Sequence, residues 1–162
     1  MAPQEKLKTS EELRALVAEA KRAHRTVVFA NGCFDVLHVG HIRYLQGARA
    51  QGDLLVVGIN SDESARALKG AERPLQSAAE RAEILASFEC VDYVILFDET
   101  TVDRILLELK PDVHAKGTDY TSESVPERET VNSYGGKVAI VGDAKAHSSR
   151  DMIADILEKF RS

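Results

Sequence analysis

Five short, apolar, β-branched runs, each set off from the next by a stretch of helical periodicity, constrain this chain more than any other feature. The runs are Thr26 to Ala30, Leu54 to Ile59, Val91 to Phe97, Val113 to Ala115 and Val138 to Val141. Near-continuous apolarity, rather than strict alternation, marks strands covered on both faces, and that is the condition of a parallel sheet. Strand and helix in repeated succession predict an α/β fold. The expected architecture is a Rossmann-like, doubly wound parallel sheet of about five strands, one domain over residues 1–162. No linker, repeat or low-complexity segment interrupts it.

The intervening stretches carry helix signals. Thr9 and Glu12 stand at capping-box spacing ahead of Leu13, Leu16, Val17 and Ala20, so residues 1–25 read as a helical lead into the first strand. Ile42, Leu45 and Ala48 share one face of a helix expected over 40–50, with Gly52 closing it. Ser77 and Glu80 make a second capping box before Ile84 and Leu85. A helix over 101–109 is stopped by Pro111, Pro126 has the look of a first-turn proline, and a last helix is expected over about 150–160.

Composition serves mainly to exclude. The formal net charge of −5 offers no broad attraction to nucleic acid or anionic lipid. The two cysteines, Cys33 and Cys90, have no paired spacing, which argues against a disulfide framework and a structural zinc site. The charged N-terminal stretch lacks the apolar run of a signal peptide, and no segment reaches membrane-spanning length, so the cytoplasm is the expected compartment. An anionic ligand therefore needs a local site.

Open parallel sheets bind ligands beyond the carboxyl ends of their strands, where the strand order reverses. The segment leaving the first strand reads Asn31-Gly32-Cys33-Phe34-Asp35-Val36-Leu37-His38-Val39-Gly40-His41. Gly32 permits a tight turn or a close backbone approach, and Gly40 opens a helix whose free N–H groups favour an anion. His38 and His41, three apart, share a helical face and suit a migrating phosphoryl charge. The competing readings are metal ligation or plain surface exposure, but no other His, Cys or carboxylate stands at a companion zinc spacing. Neither a Gly-x-Gly-x-x-Gly nor a Gly-Lys-Ser/Thr motif follows the strand.

Gly32-Cys33-Phe34-Asp35 followed by His38-x-Gly40-His41 resembles the paired motif of the cytidylyltransferase-like nucleotidyltransferases. The likeness continues in order through Asn60-Ser61-Asp62, Leu68-Lys69-Gly70, Arg73-Pro74, Glu80-Arg81, Val91-Asp92, Lys110-Pro111-Asp112, Lys116 to Tyr120 and Ser148-Ser149. Within the family the set is most similar to the adenylyltransferases of ADP-heptose synthesis, which occur free or as the C-terminal half of a fused kinase–adenylyltransferase. The resemblance implies transfer of AMP from ATP to a heptose 1-phosphate, with Mg²⁺ accompanying the triphosphate and no metal cage in the protein. It implies catalytic roles for His38, His41 and Lys69. Gly32, Cys33, Phe34, Gly40, Arg81, Ser148 and Ser149 would bind the nucleotide, and Asp35, Lys116 and Asp119 the acceptor. No nucleic acid or membrane partner is expected, and relatives often form homodimers.

Two departures stand out. Thr118 replaces a glycine usual in relatives, and Arg150 replaces a threonine, so a cation takes the place of a hydroxyl beside the expected phosphates. Gly142-Asp143-Ala144-Lys145 stands where glycerol-3-phosphate cytidylyltransferases carry Arg-Thr-Glu-Gly, which favours adenylyl over cytidylyl transfer. The rivals are a cytidylyltransferase for glycerol 3-phosphate or a related phosphate, and a nucleotide-binding domain without turnover. Lys69 also reads as an exposed loop lysine, and Arg81 as an exposed helix charge beside Glu80 or Glu83. Ser148 doubles as a helix cap, and Cys33 as a small turn residue. His147 is the one remaining histidine placed to matter.

Overall fold

The computed structural model describes residues 1–144 and 146–161; Lys145, counted above among the departures, lies outside them. Five strands, β1 (Val27–Gly32), β2 (Leu54–Asn60), β3 (Tyr93–Phe97), β4 (Val113–Lys116) and β5 (Lys137–Ile140), form one sheet. Every pairing is parallel, in the order β3-β2-β1-β4-β5. The chain moves outward from β1 through β2 to β3, then crosses back to β4 on the opposite side. The crevice between the carboxyl ends of β1 and β4 is therefore the topological switch point, where such sheets take their ligands.

Helices cover both faces, as the apolar strands require. On one face α3 (Val39–Arg49) and α5 (Ala78–Ala86) pack Leu45, Ala48, Ala82 and Leu85 against Val28, Leu55, Val57 and Val113. On the other, α2 (Ser10–Arg22), α6 (Asp103–Leu109) and α7 (Arg128–Ser133) pack Leu13, Val17, Ile105, Leu106 and Val131 against Val27, Phe29 and Val56. Both predicted capping boxes form: Thr9 Oγ1 accepts from Glu12 N–H, and Ser77 Oγ from Glu80 N–H. Gly52 does more than end a helix. A Cβ there would lie 2.7 Å from Val28 Cγ2 and 2.8 Å from the Thr26 carbonyl, so the chain turns into β2 only with glycine.

Several boundaries and elements differ from the sequence expectation. β3 starts at Tyr93, not Val91, because the Asp92 carboxylate accepts the Leu55 N–H at 2.7 Å and holds the chain in a turn. Pro126 precedes the cap of α7 rather than occupying its first turn, since the helix begins only at Arg128. Two helices went unforeseen. α1 (Pro3–Lys6) is a single turn whose Lys6 Nζ donates to the carbonyls of Phe88 and Val91. α4 (Asp62–Lys69) buries only Ser64 and Ala65 and is capped by Ser61. The last helix, α8 (Ser149–Phe160), has no buried residue at all. No helix among the described residues is long and apolar enough to cross a membrane.

Candidate active site

The loop from β1 to α3 is strained, and its surroundings hold it so. Phe34 and Val36 take φ values of 52° and 56°, in the left-handed region that a β-branched side chain strongly resists. Such conformations cost about 1–3 kcal/mol each and persist only where neighbours over-determine them. Here they do. The Asp35 carboxylate accepts from Leu75 N–H (2.8 Å), Gln76 N–H (3.0 Å) and Arg73 Nε (2.7 Å). Val36 N–H donates to Gln76 Oε1, and Ser149 Oγ donates to the carbonyls of Asp35 and Val36 at 2.7 and 2.9 Å. Burial alone would raise the Asp35 pKa, but the two N–H donors and the Arg73 guanidinium hold it below the ordinary carboxylate range.

Arg81 supports the same loop from beneath. Its side chain is fully buried, with Nη1 donating to Cys33 O (2.6 Å) and Asn60 O (2.8 Å), Nε to Gln76 O (3.0 Å) and Nη2 to Asp62 (2.9 Å). One expectation is corrected here: Arg81 is not an exposed helix charge, because no part of it reaches solvent. Asp35, 3% exposed, binds the 73–76 segment through its carboxylate. Cys33 is buried, and burial raises its thiol pKa, so it remains a protonated turn residue.

The strained loop delivers two imidazoles to the start of α3. His38 caps the helix, its Nδ1 accepting Gly40 N–H at 3.1 Å, while His41 Nδ1 accepts His38 N–H at 3.2 Å. An Nδ1 that accepts leaves the ring proton on Nε2. Both rings therefore carry an Nε2–H donor, and their centroids lie 3.9 Å apart. Tyr44 anchors the helix at the switch point, its hydroxyl donating to Ala115 O at 2.7 Å and accepting Asn31 N–H at 3.4 Å. The N-terminus of α8 arrives at the same place. Ser148 caps α8, and His147 sits with its ring centroid 6.2 Å from that of His38. Two helix N-termini thus meet, and each favours negative charge.

Gly40 makes the fit possible. A Cβ there would stand 2.8 Å from both Cε1 and Nδ1 of His38. The ring is the mobile partner, so Gly40→Ala should fold normally yet displace His38. Turnover is expected to fall on the order of a hundredfold with the melting temperature little changed; a lower melting temperature with normal turnover per folded molecule would contradict this.

Burial, with His38 and Lys69 nearby, lowers the His41 pKa to about 4. Burial, with Lys116 nearby, lowers His114 to about 3. Unfolded histidines titrate near about 6.5, so the unfolded chain takes up more protons between about pH 6.5 and 4. Stability is therefore fully present above about pH 6.5 and falls as the pH drops through that window. Urea midpoints at about pH 7.5, 6 and 5 should decline in that order, and less steeply in His114→Asn.

Against the β1–α3 loop, which Arg73 grips at Asp35, lies an open cleft of about 380 Å³, lined by Lys69, Gly70, Glu72, Arg73, Arg150 and Ile153. Lys69 is the last residue of α4 rather than a loop lysine, and it is exposed. Arg150, in the first turn of α8, faces the same cleft, so both cations flank space large enough for phosphate groups. Lys116, the last residue of β4, and Asp119, just past it, lie outside the lining of this cleft. Lys116 is buried, its Nζ 4.7 Å from the centroid of the Tyr120 ring and 3.9 Å from Glu127 Oε2. The structure thus brings Gly32, Phe34, His38, Gly40, His41, Ser148 and Ser149 together, with Lys69 at the mouth and Lys116 across the crevice. Sequence reasoning missed the clamp of Arg73 and Gln76, and it missed Glu127. Arg73 lay inside a recognised motif; nothing marked Gln76 or Glu127.

A doubly wound parallel sheet with a pair of Nε2–H imidazoles at a helix N-terminus, over its switch point, defines a nucleotide-binding domain of the nucleotidyltransferase class. The cytidylyltransferase-like family matches residues 29–157, and the chain belongs to it. The bifunctional protein HldE of Geotalea uraniireducens is 52% identical over 157 residues, which are 97% of this chain and 31% of that protein. The chain therefore spans about a third of the length of the curated relatives it matches. Among solved structures, the lipopolysaccharide core biosynthesis protein from Thermoplasma volcanium is 29% identical, with a TM-score of 0.65 over 75% of this chain and 99% of that one. Pantoate-beta-alanine ligase from Francisella tularensis, at 15% identity and TM-score 0.66 over 94% of this chain and 76% of that one, shares the fold.

Proposed function

We propose that this nucleotidyltransferase moves AMP from ATP to a heptose 1-phosphate, forming ADP-heptose and pyrophosphate. The observation that carries the chemistry is the pair of Nε2–H imidazoles of His38 and His41 beside the joined N-termini of α3 and α8. The motif set's likeness to ADP-heptose adenylyltransferases and the identity to HldE support the choice of substrates. In this reading an acceptor phosphate oxygen attacks the α-phosphorus in line. The new P–O bond forms as the bond to the bridging oxygen breaks, and pyrophosphate departs. A phosphate monoester is already a nucleophile, so catalysis rests on positioning and charge stabilisation. The two Nε2–H groups donate to the oxygens on which charge gathers, and Lys69 and Arg150 attend the outer phosphates. Mg²⁺ enters with ATP as part of the substrate, held by phosphate oxygens and water. The same reading puts the reaction in the cytoplasm and allows a homodimer.

Pyrophosphate release tests this directly, with ATP and CTP each offered against heptose 1-phosphate, glycerol 3-phosphate and phosphoethanolamine. Release with ATP and the heptose phosphate alone is the expected result. Preference for CTP and glycerol 3-phosphate would replace the substrates and keep the chemistry. Tight ATP binding with no release for any acceptor would point to a domain without turnover.

A further inference from the structure

We infer that Glu127, together with Lys116, reads a hydroxyl group of the acceptor, and that this pair is not the seat of the acceptor's phosphate. The inference rests on the sugar-phosphate reading above and specifies how the sugar would be recognised. Glu127 is the N-cap of α7, a position whose side chain ordinarily bonds the first free N–H groups of the helix. It makes no such bond. Its carboxylate turns instead toward Lys116 at the carboxyl end of β4, beside the switch-point crevice, with Oε2 3.9 Å from Nζ. That separation holds an ion pair but is too long for a hydrogen bond. Both side chains are nearly buried, 9% and 6% exposed, and Glu127 Oε2 has no hydrogen-bond partner.

A buried carboxylate oxygen without a donor is costly, and a buried ammonium pairs best when its protons are accepted. One kind of group satisfies both at once. A hydroxyl donates its proton to Oε2 and accepts from Nζ. A phosphate oxygen can only accept, and Glu127 would repel it. Glu127 also offsets the Lys116 charge, so the couple as a whole has little to draw an anion. Tyr120 forms the outer wall over the ammonium, with exposed Thr118 and Asp119 next to it. The chemistry that fits is a polyhydroxylated acceptor, with its phosphate directed across the crevice to the imidazoles.

Glu127→Gln keeps the shape and removes the charge, and its sign discriminates. If the pair reads a hydroxyl, the KM for heptose 1-phosphate rises about 10- to 100-fold while the KM for ATP and the melting temperature hold. If Lys116 instead binds the acceptor phosphate, removing the competing carboxylate lowers that KM, and the inference fails; an unmoved KM also overturns it. A second measurement sets the wild type and E127Q against monodeoxy analogues of heptose 1-phosphate. At least one should lose the same factor, and should lose nothing further on E127Q; uniform turnover across the series would defeat the inference. Wild-type protein that turns over heptose 1-phosphate while E127Q shows no acceptor defect sinks this assignment alone. Inertness of the wild type toward every sugar 1-phosphate sinks the parent reading with it.

Discussion

Arg81→Met should cost about 3–5 kcal/mol of folding stability, because it strips the donor from three carbonyls packed around the guanidinium. The guanidinium joins three chain segments: the turn after β1 at Cys33, the end of β2 at Asn60, and the entry to α5 at Gln76. Methionine fills much of the volume but donates nothing, so three carbonyls lose their donor and Asp62 loses its partner. Lysine would not restore the network, because a single ammonium cannot reproduce a fork that serves two carbonyls from one nitrogen and two further acceptors from the others. Urea unfolding followed by circular dichroism measures the loss. A shift equivalent to less than about 1 kcal/mol would show that the network is dispensable. Activity should fall as well, since the turn that aims the imidazoles hangs from this side chain. The loss of activity would come through geometry rather than through contact with the nucleotide.

His41→Ala should reduce kcat about a hundredfold, corresponding to about 3 kcal/mol of lost transition-state stabilisation from one donor. The ring is half-buried, edged by Phe34 at a centroid distance of 5.6 Å, and accepts the His38 N–H through Nδ1. Removing it should therefore cost little stability, and it leaves Nε2–H of His38 in place, so residual turnover is expected rather than abolition. The KM for nucleotide should move less than kcat, because charge concentrates on the contacted oxygens mainly as the α-phosphorus is attacked. Steady-state kinetics on the purified, folded variant decide the matter. Unchanged turnover would remove His41 from the reaction.

Much of the framework was legible because local and global signals agreed. β-branched runs marked all five strands to within two or three residues, and the Thr9–Glu12 and Ser77–Glu80 spacings became real caps. The helix α4 was not, because a helix that buries only Ser64 and Ala65 writes no apolar stripe into its sequence. The site divides along the same line. His38, Gly40 and His41 stand at one helix terminus, so their spacing alone was enough to place them together. Arg81 and Asp35 belong to a motif whose order is visible, but their partners at Cys33, Asn60, Leu75 and Gln76 come from separate segments. Order along the chain could not distinguish a ligand contact from a brace. Glu127 was hidden for a related reason: its meaning lies in an unfilled oxygen beside Lys116, and only packing reveals that.

The hydroxyl of Ser149 reaches back 114 positions to the carbonyl of Asp35. A bond of that span closes only once the sheet between its ends is in place. The two helix termini that favour negative charge are therefore joined through the finished sheet, and neither local segment alone can assemble both halves of the anion site.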